Sequence, residues 1–113
     1  MKKYAEKRPW GGFERFTLNE KSSVKILSIK PGAKLSLQKH KHRSEFWKIL
    51  DNSVRVSVGN RSWLAKKGEE IMVPKGALHR IEGYLRLARI LEISFGKFDE
   101  NDVVRIKDIY GRV

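Results

Sequence analysis

The chain holds three histidines, His40, His42 and His79, and their spacing suggests a chemistry. Side chains two positions apart on a strand face the same way, so a strand running through Gln38, His40 and His42 aims two imidazoles at one point. Glu45 follows after Arg43-Ser44, close enough to add a carboxylate if the chain bends there. His79 comes after the turn signal Pro74-Lys75-Gly76, which can return a third imidazole to the same interior. A lone histidine is more often hydrogen-bonded or exposed. A group that includes every histidine of the chain points instead to a bound metal ion. Cys is absent, which excludes a thiolate site and a disulfide framework and leaves His, carboxylate and water as ligands. Such a set suits one divalent ion of zinc, manganese, iron, cobalt or nickel and does not choose among them.

The elements that must position these groups are strands. Val alternates with polar residues through Ser53-Val54-Arg55-Val56-Ser57-Val58, the period of a half-buried strand. Gly59-Asn60 then signals a tight hairpin, and Arg61 to Ala65 reads as its return. Further strands are expected at Phe13 to Leu18, Val24 to Lys30, Leu35 to His40, Glu45 to Leu50, Glu70 to Val73, Leu78 to Glu82 and Leu85 to Phe95, with Gly, Pro, Asn and Asp between them. About nine short strands result, and no segment sustains a 3.6-residue apolar stripe. The expected fold is all-β, a small antiparallel barrel or jelly roll. Lys97 to Asp102 reads as a polar connecting stretch.

At 113 residues the chain fits one domain, spanning 1–113. No stretch approaches the roughly 18 apolar residues of a membrane span, and Met1-Lys2-Lys3-Tyr4 lacks the apolar run of a signal peptide, so a soluble cytoplasmic protein is expected. Lys and Arg total 25 against 13 for Asp and Glu, giving a formal charge of +12 that favours anionic partners. The basic residues are scattered singly along strand-like segments, without a zinc-finger or aromatic RNA-binding motif, which disfavours nucleic acid.

Two segments, Gly32 to Glu45 and Gly68 to Glu82, resemble the paired motifs of the cupin superfamily, where His-x-His and a Glu are followed later by Pro-x-Gly-x-x-His. More narrowly, the chain resembles the C-terminal phosphomannose isomerase domain of the type II bifunctional isomerase and guanylyltransferase enzymes. The similarity opens at Arg8-Pro9-Trp10-Gly11 and continues through Lys30 to Gln38, His40-x-His42-Arg43-Ser44-Glu45-x-Trp47 and Pro74-x-Gly76-x-x-His79-Arg80-Ile81-Glu82. It closes with Glu100 to Ile106, Asp108 and Tyr110-Gly111-Arg112. The chain departs from the family at Lys41, where a further His is usual, at Phe46, where another His often follows the Glu, and in lacking a nucleotidyltransferase half.

The resemblance implies a metal held by His40, His42, Glu45 and His79, and interconversion of mannose 6-phosphate and fructose 6-phosphate through an enediol. It makes Glu45 or Glu82 the candidate general base. Arg43, Arg80, Lys75 and Gln38 become candidates for the phosphorylated hexose, Arg43 foremost for its phosphate. A homodimer sharing edge strands is expected. The main alternative is a non-catalytic module that binds sugar phosphate. A non-haem iron oxygenase would use a similar ligand set.

Overall fold

A computed structural model describes residues 1–97, 99 and 101–108, with the side chain of Lys107 outside the description. Eleven strands are present among the described residues: β1 (Tyr4–Arg8), β2 (Gly11–Arg15), β3 (Ser22–Ile29), β4 (Leu37–Lys39), β5 (Ser44–Ile49), β6 (Val54–Val58), β7 (Arg61–Ala65), β8 (Glu70–Val73), β9 (His79–Gly83), β10 (Ala88–Phe95) and β11 (Val104–Lys107). All pairings are antiparallel. The strands form a four-stranded sheet in the order β3-β10-β5-β8, a five-stranded sheet in the order β11-β4-β9-β6-β7, and the separate hairpin β1-β2. The sheets do not close into a barrel among the described residues; they form two facing sheets in the cupin jelly-roll manner. No helix of the structure is long and apolar enough to cross a membrane.

The expected hairpin forms as the sequence indicates. Val58 pairs with Arg61, and Gly59 takes the left-handed φ of 60° that a two-residue turn requires at its first central position. Between the sheets lies the core, in which Trp47, Ile49, Val54, Val56, Ile81 and Ile90 are almost wholly buried. Each such aliphatic side chain contributes about 1.5–3 kcal/mol.

The four-stranded sheet is apolar on its outer face too. Val24, Ile93, Phe46 and Met72 lie in register across its four strands. Phe16, beyond the hairpin, packs on Phe46 with ring centroids 5.3 Å apart, and Lys3 ties the N-terminal segment down through Glu70. Glu14 of β2 meets Lys48 of β5 as well. Val24 and Ile26 on β3, the outermost strand, remain well exposed.

Three strands differ from the sequence expectation, among them β11, which the sequence reading leaves out. Tyr-Ala-Glu-Lys-Arg in β1 is exposed on both faces at most positions, so no alternation marks it. Leu35 to His40 forms only a three-residue strand, β4, which stops at Lys39.

Candidate metal centre

His40, Glu45 and His79 meet between the sheets, all three buried, with one ligand atom from each lying within 4.8 Å of the others. His40 follows the end of β4, Glu45 lies on the inward face of β5, and His79 opens β9. Glu45 Oε1 is 2.9 Å from His40 Nε2, and Oε2 is 3.9 Å from His79 Nε2. The two imidazole centroids are 4.9 Å apart.

Both rings are oriented through their other nitrogen. His40 Nδ1 donates to the carbonyl oxygen of Asp102 at 2.6 Å, and His79 Nδ1 donates to that of Ala77 at 3.0 Å. Engaging Nδ1–H fixes the ring and presents Nε2 to the interior, the arrangement used for metal-bound histidines. His79 Nε2 is buried without a hydrogen-bond partner. An orphaned imidazole nitrogen beside a carboxylate and a second imidazole is a vacancy in polar satisfaction that a divalent ion fits.

Electrostatics agree. Burial pushes the Glu45 carboxyl up, but the hydrogen bond from His40 and the positive charges of His79, His40 and Arg43 prevail, bringing it down to about 2. Burial lowers the pKa of His79, against the bond to Ala77 and the charge of Glu45, which favours the neutral imidazole that coordinates. Arg43 is turned into the cluster, its guanidinium 3.4 Å from Glu45 Oε1 and 3.3 Å from His40 Nε2, and it donates to the carbonyl of Asp99 at 3.1 Å. A guanidinium thus lies where the donor set calls for positive charge.

His42 stands apart from this cluster. The alternation that would aim it inward ends with β4, because Asp102 takes both backbone N–H groups after His40: Lys41 N donates to Oδ1 at 2.8 Å and His42 N to Oδ2 at 2.9 Å. The chain bends there and leaves the His42 ring exposed, outside the three-residue donor group. His42 instead lines a second hollow of about 620 Å³, together with Lys39, His40, Lys41 and Asp102.

The other sequence candidates divide in the same way. Gln38, Arg43 and Glu45 line an interior cavity of about 310 Å³, with His40, Lys25, Ser36 and Arg105. Lys75 is exposed in the turn before β9. Arg80 and Glu82 alternate with the buried His79 and Ile81 and so lie on the opposite face of β9. There Arg80 Nε donates to the Leu35 carbonyl at 2.9 Å, and Glu82 comes within 3.9 Å of Lys34. Glu100 and Tyr110-Gly111-Arg112 lie outside the described residues.

The sequence reading passes over Glu92. It is buried on the inward face of β10, lines the interior cavity, and shares the indole N–H of Trp47 with Glu45, each carboxylate oxygen at 3.2 Å. Burial and the neighbouring charge of Glu45 raise its pKa to about 7. A signal existed: Ile90-Leu91-Glu92-Ile93 is apolar on both faces around the Glu, so the strand is covered on both sides and the carboxyl must be enclosed.

Residues 2–108 match the family described as Mannose-6-phosphate isomerase C-terminal. The chain belongs to that family. It is 35% identical over 107 residues to the xanthan biosynthesis protein XanB of Xanthomonas campestris pv. campestris (strain B100), covering 93% of this chain and 23% of the relative. It is also 37% identical over 108 residues to the mannose-1-phosphate guanylyltransferase ManC of Salmonella typhimurium, covering 94% and 22%. The chain thus spans less than a quarter of the length of these relatives. Among solved structures, a sugar phosphate isomerase of the cupin superfamily from Silicibacter pomeroyi superposes with a TM-score of 0.63 at 18% identity, covering 71% of this chain and 53% of that one. Oxalate decarboxylase from Bacillus subtilis superposes with a TM-score of 0.67 at 27% identity, covering 83% and 26%. The fold is that of the cupins.

Proposed function

We propose that this chain is a metal-dependent isomerase that interconverts mannose 6-phosphate and fructose 6-phosphate, with His40, Glu45 and His79 as its metal ligands. The observation that carries the reading is the meeting of three buried donor atoms, two of them (from His40 and Glu45) lining a cavity that cationic side chains also line, in a member of the mannose-6-phosphate isomerase C-terminal family.

A bound divalent ion would polarise the oxygens at C1 and C2 of the sugar and favour the enediolate. The chain supplies the rest. Glu45 serves as a ligand, and the sheet faces Glu82 away from the cavity, so Glu92 is the remaining carboxyl there among the described residues and the better candidate to carry the proton between C1 and C2. Arg43 contributes positive charge beside the reacting end. Substrate then enters between the sheets, where the apolar core beneath limits water. The exposed outer strand β3, with Val24 and Ile26 uncovered, supports a homodimer formed along that edge.

The test is a coupled assay for fructose 6-phosphate formed from mannose 6-phosphate, run on metal-loaded and chelated protein. Turnover that chelator abolishes and metal restores is the expected result. Binding of the sugar phosphate with no turnover for any of the five candidate metals would instead identify a binding module without isomerase activity.

A further inference from the structure

We propose that Arg105 anchors the phosphate of the substrate, assisted by Lys25. This rests on the sugar-phosphate reading above and assigns a guanidinium of the interior cavity that lies outside the donor cluster. Strands β3 and β11 are the outermost strands of the four- and five-stranded sheets. The interior cavity takes its lining from both, with Lys25 and Leu27 from β3 and Arg105 from β11, so it runs along the seam between two sheet edges. Two cations thus border one seam, each on a different sheet.

Arg105 carries the stronger argument. Its Nε is buried without a hydrogen-bond partner, while its neighbour in register, Gln38, lines the same cavity. A buried guanidinium donor left unmatched is unfavourable, and its planar fork matches the oxygens of a phosphate. Of the cavity's carboxylates, Glu45 is held by His40, Arg43 and Trp47, while Glu92 is bonded by Trp47 and faces Lys25 in register, so Lys25 already has a carboxylate beside it and Arg105 carries the proposal.

Position separates Arg105 from Arg43. In a hexose 6-phosphate the reacting carbons C1 and C2 and the phosphate on C6 lie at opposite ends of the molecule. Arg43 touches Glu45 and His40, so a phosphate held there would sit at the reacting end. Arg105 lies on β11, one strand beyond Gln38, whose other register partner is His79, so a phosphate held there is set off from the donors by the width of β4 while C1 and C2 reach them.

Isothermal titration with inorganic phosphate and with mannose 6-phosphate provides the test, on the full chain with metal content and melting temperature measured in parallel. Arg105→Ala should weaken both ligands about 10- to 100-fold, with Arg105→Lys recovering part of the loss and Lys25→Ala showing a smaller one. Should Arg105→Ala fail to fold, Arg105→Gln carries the same expectation. The proposal is overturned if the wild type binds no inorganic phosphate, or if folded Arg105 variants bind it as the wild type does. Phosphate binding that depends on Arg105 without any turnover upholds the anchor while the isomerase reading fails. Turnover with an unchanged KM in Arg105→Ala does the reverse.

Discussion

The two segments that deliver imidazoles to the centre are built on opposite plans. Around His79 the ring's orientation is local: Ala77 N donates to the Pro74 carbonyl at 3.2 Å, Gly76 adopts a φ of 79°, and the His79 ring is held by a carbonyl two residues away, although Gly76 N also donates to the His40 carbonyl at 2.8 Å. Around His40 the orientation comes from afar. Asp102, 62 residues on, accepts from the ring through its carbonyl and from two backbone N–H groups through its carboxylate. The difference explains why one sequence motif is sufficient to read and the other is not. A ligand held by its own turn is visible in the turn's residues, whereas His40 and His42 are told apart only by a residue in another part of the chain.

The comparison breaks most completely when a donor is removed. His79→Ala and Glu45→Ala should each lower metal affinity by more than ~100-fold and reduce metal content from about one ion per chain toward zero, as elemental analysis after reconstitution will report. His42→Ala should retain its ion in the same measurement. Metal loss in His42→Ala equal to that in His79→Ala would sink the three-donor assignment.

The remote plan predicts its own weak point. Asp102→Ala should leave all three donors and the carbonyl that accepts from His40 in place, yet lower metal affinity by about 10-fold or less, since the lost carboxylate acts on the ring only through the Lys41-His42 bend. Competition with a chelator measures it, and the spectrum of the cobalt-loaded protein should shift with it. An affinity equal to wild type would mean that the Lys41-His42 bend holds without the carboxylate.

The local plan is probed at Gly76. A Cβ there meets no atom within 4 Å, so Gly76→Ala tests backbone conformation alone. The left-handed φ should make it about 1–2 kcal/mol less stable by denaturant unfolding, with the imidazole arrangement recovered once the chain is folded.

The smallest effect lies away from both segments. Asp51 accepts from Arg89 through its side chain at 2.9 Å and through its backbone N–H at 2.8 Å, and these bonds bring the carboxyl down to about 2. A folded pKa below the ordinary value adds stability that is fully present above about pH 4 and is lost as pH falls through about 2. Solvent reaches this pair, so Asp51→Asn should cost about 1 kcal/mol or less at neutral pH and nothing at pH 2. Melting temperatures at the two pH values check the sign.

Much of the fold is legible in the residues. Strands β5 to β9 follow from alternation and turn chemistry within a residue or two, because the turns between them carry Gly, Pro, Asn or Asp and all but β5 bury one face. β1 and β11 escape that reading. β1 buries little, and β11 alternates apolar and polar residues but leaves the apolar ones, Val104 and Ile106, exposed. For the site, His40, Glu45 and His79 are legible as donors, while Glu92 is hidden by the habit of reading a charged residue as outward-facing. Nor does any local signal assign Arg105 to the cavity, since that depends on which sheet edges border one another.

The tether between His40 and Asp102 also sets an order of events during synthesis. A chain leaving the ribosome N-terminus first exposes His40, Glu45 and His79 well before Asp102, and β4 before its partner β11. The turn that carries His79 can form as soon as it emerges, yet the ring of His40 has no partner for Nδ1 until the last part of the domain arrives. In the proposed metal centre the His40 donor is therefore oriented last, and a ribosome stalled before residue 102 would hold a chain in which that ring is not yet set.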